Sequence, residues 1–423
     1  MPGLPNLWSL CNLQGSPYFQ TTLGAASPRY PLSLFVGRAQ ELHQLLRTIG
    51  GSTSSRQAVG GAPGIGKTTL VQAAKGEALT AGYWTTDEIV PLYPSDTTES
   101  VLGRILGAVY DAIVTARPTA QGSPALQQAQ QMVRAYRVQG GGANVSLLGV
   151  GAGMSHSQTA VTPPGVLLLD GPGVLRDLLT FVKEAGGAGV VVHLNNLENL
   201  SENDTQNAAE VLRSLRDPVL LQDGLHVILV GTSDAVTQVV QRYPQVRTVV
   251  SSPLLLGPLA PTEVQELLAA RYRYLVLDPL RPPIPPVVPN AVETLYTLFH
   301  GDLRGLLKAL EDGATALLGV AQSEAPPALD LAALRPVLQA RYAAQLAATA
   351  GDKRADLLRR WAEAGVESQR TQAELMHLWK ARQPTTSLHL KSLIEDGYVE
   401  ALLRRGGEAI EYRLTGVSQL VFG

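Results

Sequence analysis

Apolar positions fall into two regimes along this chain. From Leu34 to about Pro258, short apolar runs alternate with longer stretches that repeat every three to four residues. The short runs are Gln57-Ala58-Val59, Tyr83 to Thr86, Gly189 to Leu194, His226 to Val230 and Thr248 to Leu256. Runs of that length, bounded by turn residues, predict strands, and the periodic stretches predict helices such as Ala39 to Ile49 and Thr69 to Ala81. Strands alternating with helices predict an α/β domain with a mostly parallel sheet. From Thr262 the pattern is helical: Thr262 to Tyr274, Ala291 to Leu298, Asp302 to Leu318 and Leu329 to Ala348. The proline-dense run Pro279 to Pro289 interrupts it as a stiff connector.

The last unit, from Asp352, has its own order. Helices are predicted over Ala355 to Ala364, Gln372 to Trp379 with Thr371 as N-cap, and Pro384 to Asp396 with Pro near its first position. Gly397 ends the third. Tyr398 to Arg404 and Ala409 to Leu414 then make a hairpin. Helix, helix, turn, helix, hairpin is the order of a winged helix-turn-helix. Two stretches carry little pattern. Met1 to Pro31 is irregular, with one aromatic spot at Pro17-Tyr18-Phe19-Gln20. Residues 139–164 form a Gly- and Ser-rich insertion in which Asn144 to Val150 and Thr159 to Thr162 predict hairpin arms.

Composition sharpens this picture in few places. At 423 residues the chain predicts two or three domains, and 45% hydrophobic residues suffice for their cores. No apolar run is long enough to span a membrane. Met1 to Arg29 lacks a signal pattern. Cys11 is the one cysteine, which excludes a disulfide framework and a thiolate metal cluster. These features predict a soluble cytoplasmic protein. A net charge of −2 means that any nucleic-acid contact is local.

The sharpest chemical signal is Gly61-Ala62-Pro63-Gly64-Ile65-Gly66-Lys67-Thr68, which fits G-x-x-x-x-G-K-[ST]. Its glycines let the backbone wrap a phosphate and aim N–H groups at the oxygens. Lys67 would reach the β- and γ-phosphates, and the Thr68 hydroxyl would ligate Mg²⁺. The helix from Thr69 puts its positive end under the phosphates.

Further landmarks follow in order: Phe35-Val36-Gly37-Arg38 before the loop, Val190 to Asn196, Val230-Gly231-Thr232-Ser233-Asp234, Tyr243 to Arg247, and Gly301-Asp302-Leu303-Arg304. The series resembles the AAA+ ATPases, in particular the origin-recognition and helicase-loader branch, which also carries a C-terminal winged helix. The resemblance implies a P-loop sheet core over 34–258, a helical lid over 259–350 and a winged helix over 351–423, behind an extension of 1–33. It implies that Phe35, Val36 and Gly37 line the adenine pocket and that Asp234 or Thr232 senses the γ-phosphate. It further implies that Arg247 reaches a neighbouring subunit's nucleotide and that Arg304 is the lid arginine. ATP, Mg²⁺ and an ATP-dependent homo-oligomer follow as expectations.

The second nucleotide motif departs from the family. Where Val190 to Leu194 should lead to an Asp and a Glu, the chain has Asn195 and Asn196, then Leu197 and Glu198. Val166-Leu167-Leu168-Leu169-Asp170 is a rival run, farther from the sensor strand and followed by Gly171-Pro172-Gly173. With Asn195 in place, weakened Mg²⁺ binding and slow hydrolysis are expected, unless Glu198, Glu202 or Asp204 supplies the base. In the last unit, the third helix would present Gln383, Thr385, Thr386, His389 and Lys391 to the major groove of duplex DNA, with Arg404 and Arg405 on phosphates. Winged helices also dock proteins, and this one is nearly charge-balanced. Two functions therefore compete. One is an ATP-controlled DNA-binding ATPase with a client protein in replication, transposition or defence. The other is a nucleotide-dependent signalling or scaffold switch.

Overall fold

A computed structural model describes residues 6–25, 27–139, 166–201, 205–241, 243–318, 328–402 and 409–423. The expected hairpin within 139–164, Glu202, Asp204, Arg404 and Arg405 lie outside the described residues. The chain divides into two units. One holds residues 22–62 and 66–256, and the other holds the described parts of 1–21 and 257–423 together with Pro63–Ile65.

The first unit is a parallel sheet with helices packed on it. Its strands are β1 (Ser55–Gly61), β2 (Tyr83–Trp84), β3 (Val90–Pro91), β4 (Gly189–Asn195), β5 (Leu225–Gly231) and β6 (Leu254–Leu256). They run in the order β2-β4-β5-β1-β6, with β3 also paired to β4. Every pairing is parallel. All residues of β1 and β5 are buried, which is why these strands read as near-continuous apolar runs rather than alternating ones. The helices are α1 (Ala39–Gly50), α2 (Lys67–Thr80), α3 (Thr98–Ala116), α4 (Pro124–Gln139), α5 (Val166–Glu184), α6 (Glu198–Ser201), α7 (Thr205–Ser214), α8 (Ser233–Val236) and α9 (Pro244–Arg247). Ile105, Leu106, Leu175 and Leu178 of α3 and α5 share one core with Val190, Val192, Val227 and Leu229 of the sheet.

Two expectations need correction. The rival run Val166 to Asp170 is the first turn of α5, not a strand, and Asp170 is exposed on it. Apolar runs of that length suit either state, and here the 19-residue helix wins. The expected strand Thr248 to Leu256 shortens to Leu254–Leu256. Pro253 restricts Ser252 before it and brings no backbone N–H to a ladder.

The second unit begins with α10 (Pro261–Tyr274), α11 (Pro289–Leu298), α12 (Leu303–Leu318) and α13 (Leu331–Glu363). Gly351, at φ 69° and ψ 165°, breaks α13 into two helical segments, one on each side. Then come β7 (Arg370–Thr371), α14 (Gln372–Trp379), α15 (Gln383–Glu395), β8 (Val399–Leu402), β9 (Glu411–Leu414) and α16 (Gly416–Phe422). The three strands form an antiparallel sheet in the order β7-β9-β8. Trp361, Leu375, Trp379, Leu390, Leu393 and Leu414 fill the core of this end of the chain. Thr371 and Glu374 make a reciprocal capping box at the start of α14.

The irregular N-terminal segment belongs here too. Trp8, Cys11, Leu13 and Tyr18 are buried, and Leu13 bridges to Val276. The Arg271 guanidinium donates to Pro17 O at 3.0 Å and Phe19 O at 2.8 Å, and stacks over the Phe19 ring. The aromatic spot is therefore core packing.

Candidate nucleotide site

The sheet register brings the relevant loops to one edge. Gly60 of β1 faces Gly231 of β5, and Leu229 of β5 faces Leu194 of β4. The chain therefore leaves all three strands on the same side, into Ala62, Thr232 and Asn196. Close packing at this edge depends on Gly60, whose significance the motif does not announce. A Cβ there would stand 2.7 Å from Leu255 Cδ2 and 3.2 Å from Ser233 Cα. In the loop itself Gly64 and Gly66 take φ of +78° and +96°, which side chains resist. Gly66 caps α2, so that helix opens on Lys67. Lys67 Nζ donates to Gly61 O at 2.8 Å and Ala62 O at 2.9 Å. The side chain thus lies folded along its own loop.

The degenerate motif shows a specific arrangement. Asn195 ends β4, and its Nδ2 donates to Asn196 Oδ1 at 3.1 Å. Asn196 sits at φ +66°, a left-handed conformation that Asn tolerates better than most residues. The turn brings Glu198 back to the sensor strand, where its Oε2 accepts from Thr232 N at 3.0 Å. Thr232 Oγ1 in turn accepts from Ala235 N at 3.2 Å and caps α8. Asp234 is directed elsewhere, accepting from Gln238 Nε2 at 2.7 Å. Of the two expected sensors, Thr232 is the one bonded to the acid.

The sheet and α2 also carry buried ionisable groups. Lys75 of α2 is held down to about 8 by burial, and donates to Glu88 O at 2.8 Å. His193 of β4 falls to about 3 through burial and the Lys75 charge. His226 of β5 falls to about 4 through burial and Arg56, with Ser55 Oγ at 2.9 Å from its Nδ1.

The remaining expected residues are more scattered. Phe35, Val36 and Gly37 are partly exposed, on a segment whose Leu32 packs against Gly76 of α2. Thr68 and Thr69 are partly exposed in the first turn of α2. Arg247 is exposed at the end of α9. Arg304 belongs to the other unit, exposed in the first turn of α12, with its N–H given to Asp302 Oδ1 at 3.0 Å. The Asp302 carboxyl is raised by burial, against the N–H groups of Gly305 and Arg304. For Mg²⁺ the donors at hand are the Thr68 hydroxyl and the Asn195 amide oxygen. Among the described residues no group of three or more His, Cys, Asp or Glu forms a metal site. That donor set fits an ion carried largely by nucleotide phosphates and water, the habit of Mg²⁺.

Helix α15 is the second candidate surface. Gln383, Thr385 and Lys391 are exposed on it, and His389 is half-buried. Burial and the charges of Lys353 and Arg354 lower the His389 imidazole. Thr386 does not join this face. It is 0% exposed, its Oγ1 donates to Arg382 O at 3.1 Å, and helical spacing puts it in line with buried Leu390 and Leu393. The face also contains Leu388, 67% exposed, and Ile394, neither of which stood out in the sequence. Lys391 lies 3.9 Å from Glu395, which offsets part of its charge.

A parallel sheet in this order, with a phosphate loop leaving β1 and the asparagine-ended β4 one strand away across β5, defines a P-loop ATPase of the AAA+ fold. The family model "nSTAND1: Novel STAND NTPase 1" matches residues 31–274, and the chain belongs to that family. No curated protein matches it in sequence. Among solved structures it is similar to the ORC2 protein of Aeropyrum pernix in its ADPNP-ADP complexes. That match has 16% identity and a TM-score of 0.50, covering 96% of this chain and 95% of the other. It is likewise similar to the Walker-type ATPase paby2304 of Pyrococcus abyssi, at 12% identity and a TM-score of 0.52, covering 96% and 99%. Among the described residues no helix is long and apolar enough to cross a membrane.

Proposed function

We propose that this chain is a slow, ATP-controlled switch that binds duplex DNA through its winged helix. The observation that carries this reading is the single edge holding the phosphate loop, Asn195, Glu198 and Thr232. The backbone N–H groups of the loop and the start of α2 would cradle the phosphates, and Lys67 would leave its own carbonyls for the β- and γ-oxygens. Mg²⁺, when bound, would neutralise developing phosphate charge, with Thr68 and Asn195 as its protein ligands. Glu198 is the acid available to orient or deprotonate the attacking water, and doing so would strain its bond to Thr232. Glu202 and Asp204 follow it closely and share the assignment. Asn195 in place of a carboxylate makes hydrolysis slow.

Phe35, Val36 and Gly37 would enclose the adenine, with Asp234 behind Thr232 in reporting the γ-phosphate. Arg304 would act as the lid arginine in cis, and Arg247 would act across a homo-oligomer interface. We assign 34–258 to the ATPase core, 259–350 to the lid and 351–423 to the winged helix. DNA contact would come from Gln383, Thr385, His389 and Lys391 on α15, with Arg404 and Arg405 from the wing on phosphates. The likeness to the ORC2 protein in its ADPNP-ADP complexes supports the nucleotide-binding half of this reading; a role in DNA transactions in the cytoplasm, alongside a client protein, is the rest of the proposal.

Fluorescence anisotropy of a labelled duplex, with a non-hydrolysable ATP analogue, with ADP and with neither, tests this function. Tighter binding with the ATP analogue is expected. Absence of DNA binding in all three conditions would reject it. Exposed Leu388 and Ile394 on α15 favour a second reading, in which that helix docks a protein and the ATPase acts as a signalling scaffold.

A further inference from the structure

The turn that carries Arg304 is held from behind by the last helix of the chain. Between α11 and α12 the backbone makes two left-handed residues in succession, His300 at φ +53° and Gly301 at φ +80°. Gly301 has no room for a side chain, since a Cβ would stand 2.5 Å from Pro258 Cβ. Phe299, just before the turn, is buried between two glycines. A Cβ on Gly305, one residue past Arg304, would stand 2.6 Å from Phe299 Cδ1. A Cβ on Gly416, the first residue of α16, would stand 2.6 Å from Phe299 Cγ and 2.8 Å from its Cα. Gly416 is not left-handed, so this contact rather than backbone conformation is what calls for glycine.

A polar contact backs the apolar one. Gln419 Nε2 of α16 lies 2.8 Å from His300 Nε2 and 3.3 Å from Leu414 O, while His300 Nε2 is 3.3 Å from Leu414 O. The arrangement suits a neutral imidazole that accepts from Gln419, and burial lowers the His300 pKa accordingly.

We propose that α16 is a clamp that positions Arg304. The Phe299 ring transmits the seat of α16 to the first turn of α12, and the His300–Gln419 contact fixes the turn's rotation. His300, Gly416 and Gln419 are then positioning residues, and any partner that shifts the winged helix shifts Arg304 with it. This rests on the reading of Arg304 as the lid arginine.

The test is the preference for ATP over ADP, measured as the ratio of dissociation constants with fluorescent analogues of each. Arg304→Ala should lower the preference about tenfold or more, the worth of one charge-assisted hydrogen bond. Gly416→Ala and Gln419→Leu should each reproduce most of that loss while leaving ADP affinity within about twofold. Combined with Arg304→Ala they should add nothing, since all act through one group. Wild-type preference in both Gly416→Ala and Gln419→Leu, with Arg304→Ala impaired, overturns the clamp alone. Wild-type preference in Arg304→Ala removes the lid arginine and the clamp with it.

Discussion

The nucleotide edge and the outer face of α15 are built by different physics. At the nucleotide edge most of the proposed working groups are backbone: the loop N–H groups, the open end of α2 and the strand ends. Their positions follow from the register of β1, β4 and β5, which a single buried sheet enforces. On α15 the proposed contacts are side chains, and their direction follows from the phase of one helix against its core. There Leu390 and Leu393 decide which residues face outward, and they draw Thr386 inward with them. A site made of backbone is set by strand register, whereas a side-chain surface is set by how one helix turns against its core.

The largest effect should come from Glu198, the acid bonded to Thr232 at the nucleotide edge. Glu198→Gln should lower ATP hydrolysis by ~10²–10⁴ while ATP affinity stays within about twofold. Asn195→Asp should act oppositely, raising turnover about tenfold by returning a carboxylate to the Mg²⁺ position. Asn196 is a poorer place to add an acid, because its left-handed backbone would strain a glutamate. Phosphate release from the two single variants decides this. Brisk hydrolysis by Glu198→Gln would move the base elsewhere and undo the contrast between the two surfaces.

A smaller effect should appear in acid stability. His193 and His226 are buried in the sheet, His226 at the end away from the nucleotide edge, with folded values of about 3 and about 4 against 6.5 in the open chain. Above pH 6.5 both states are neutral and these groups are silent. Below it the unfolded chain takes up protons that the folded sheet refuses, so stability falls as pH drops from 6.5 towards 4 and on to 3. Denaturant midpoints across that range should show the decline, with a shallower slope in His193→Leu. An unchanged slope in that variant would mean that another group governs acid unfolding.

The smallest effect belongs to α15. Leu388→Lys should strengthen duplex binding only a few-fold, and each added phosphate contact should steepen the salt dependence by about 0.9. Weaker DNA binding, or no change in the salt slope, would favour a protein partner on this face and sharpen the comparison in the opposite direction.

Legibility in the sequence followed the same division. Gly61 to Thr68 announces itself, because its chemistry demands glycines and a lysine at set spacing. Strands β4 and β5 were legible as buried apolar runs. The link from Glu198 to Thr232 was not, because a side-chain bond across 34 residues leaves no local pattern. Val166 to Asp170 misleads as a strand because four apolar residues and an acid suit a strand end and a helix start alike. The packing of Trp8 to Phe19 was hidden by the absence of any periodicity. Nothing in the sequence marks Gly416, and only the Phe299 ring beside it gives it meaning.

The central claim is that nucleotide is held at the edge formed by β1, β4 and β5. Hydrogen exchange of the full chain, with and without a non-hydrolysable ATP analogue and Mg²⁺, tests it most directly. Slowed exchange is predicted in peptides covering residues 61–69, 195–199 and 231–235 together. Protection confined to other segments, or none at saturating analogue, would contradict it.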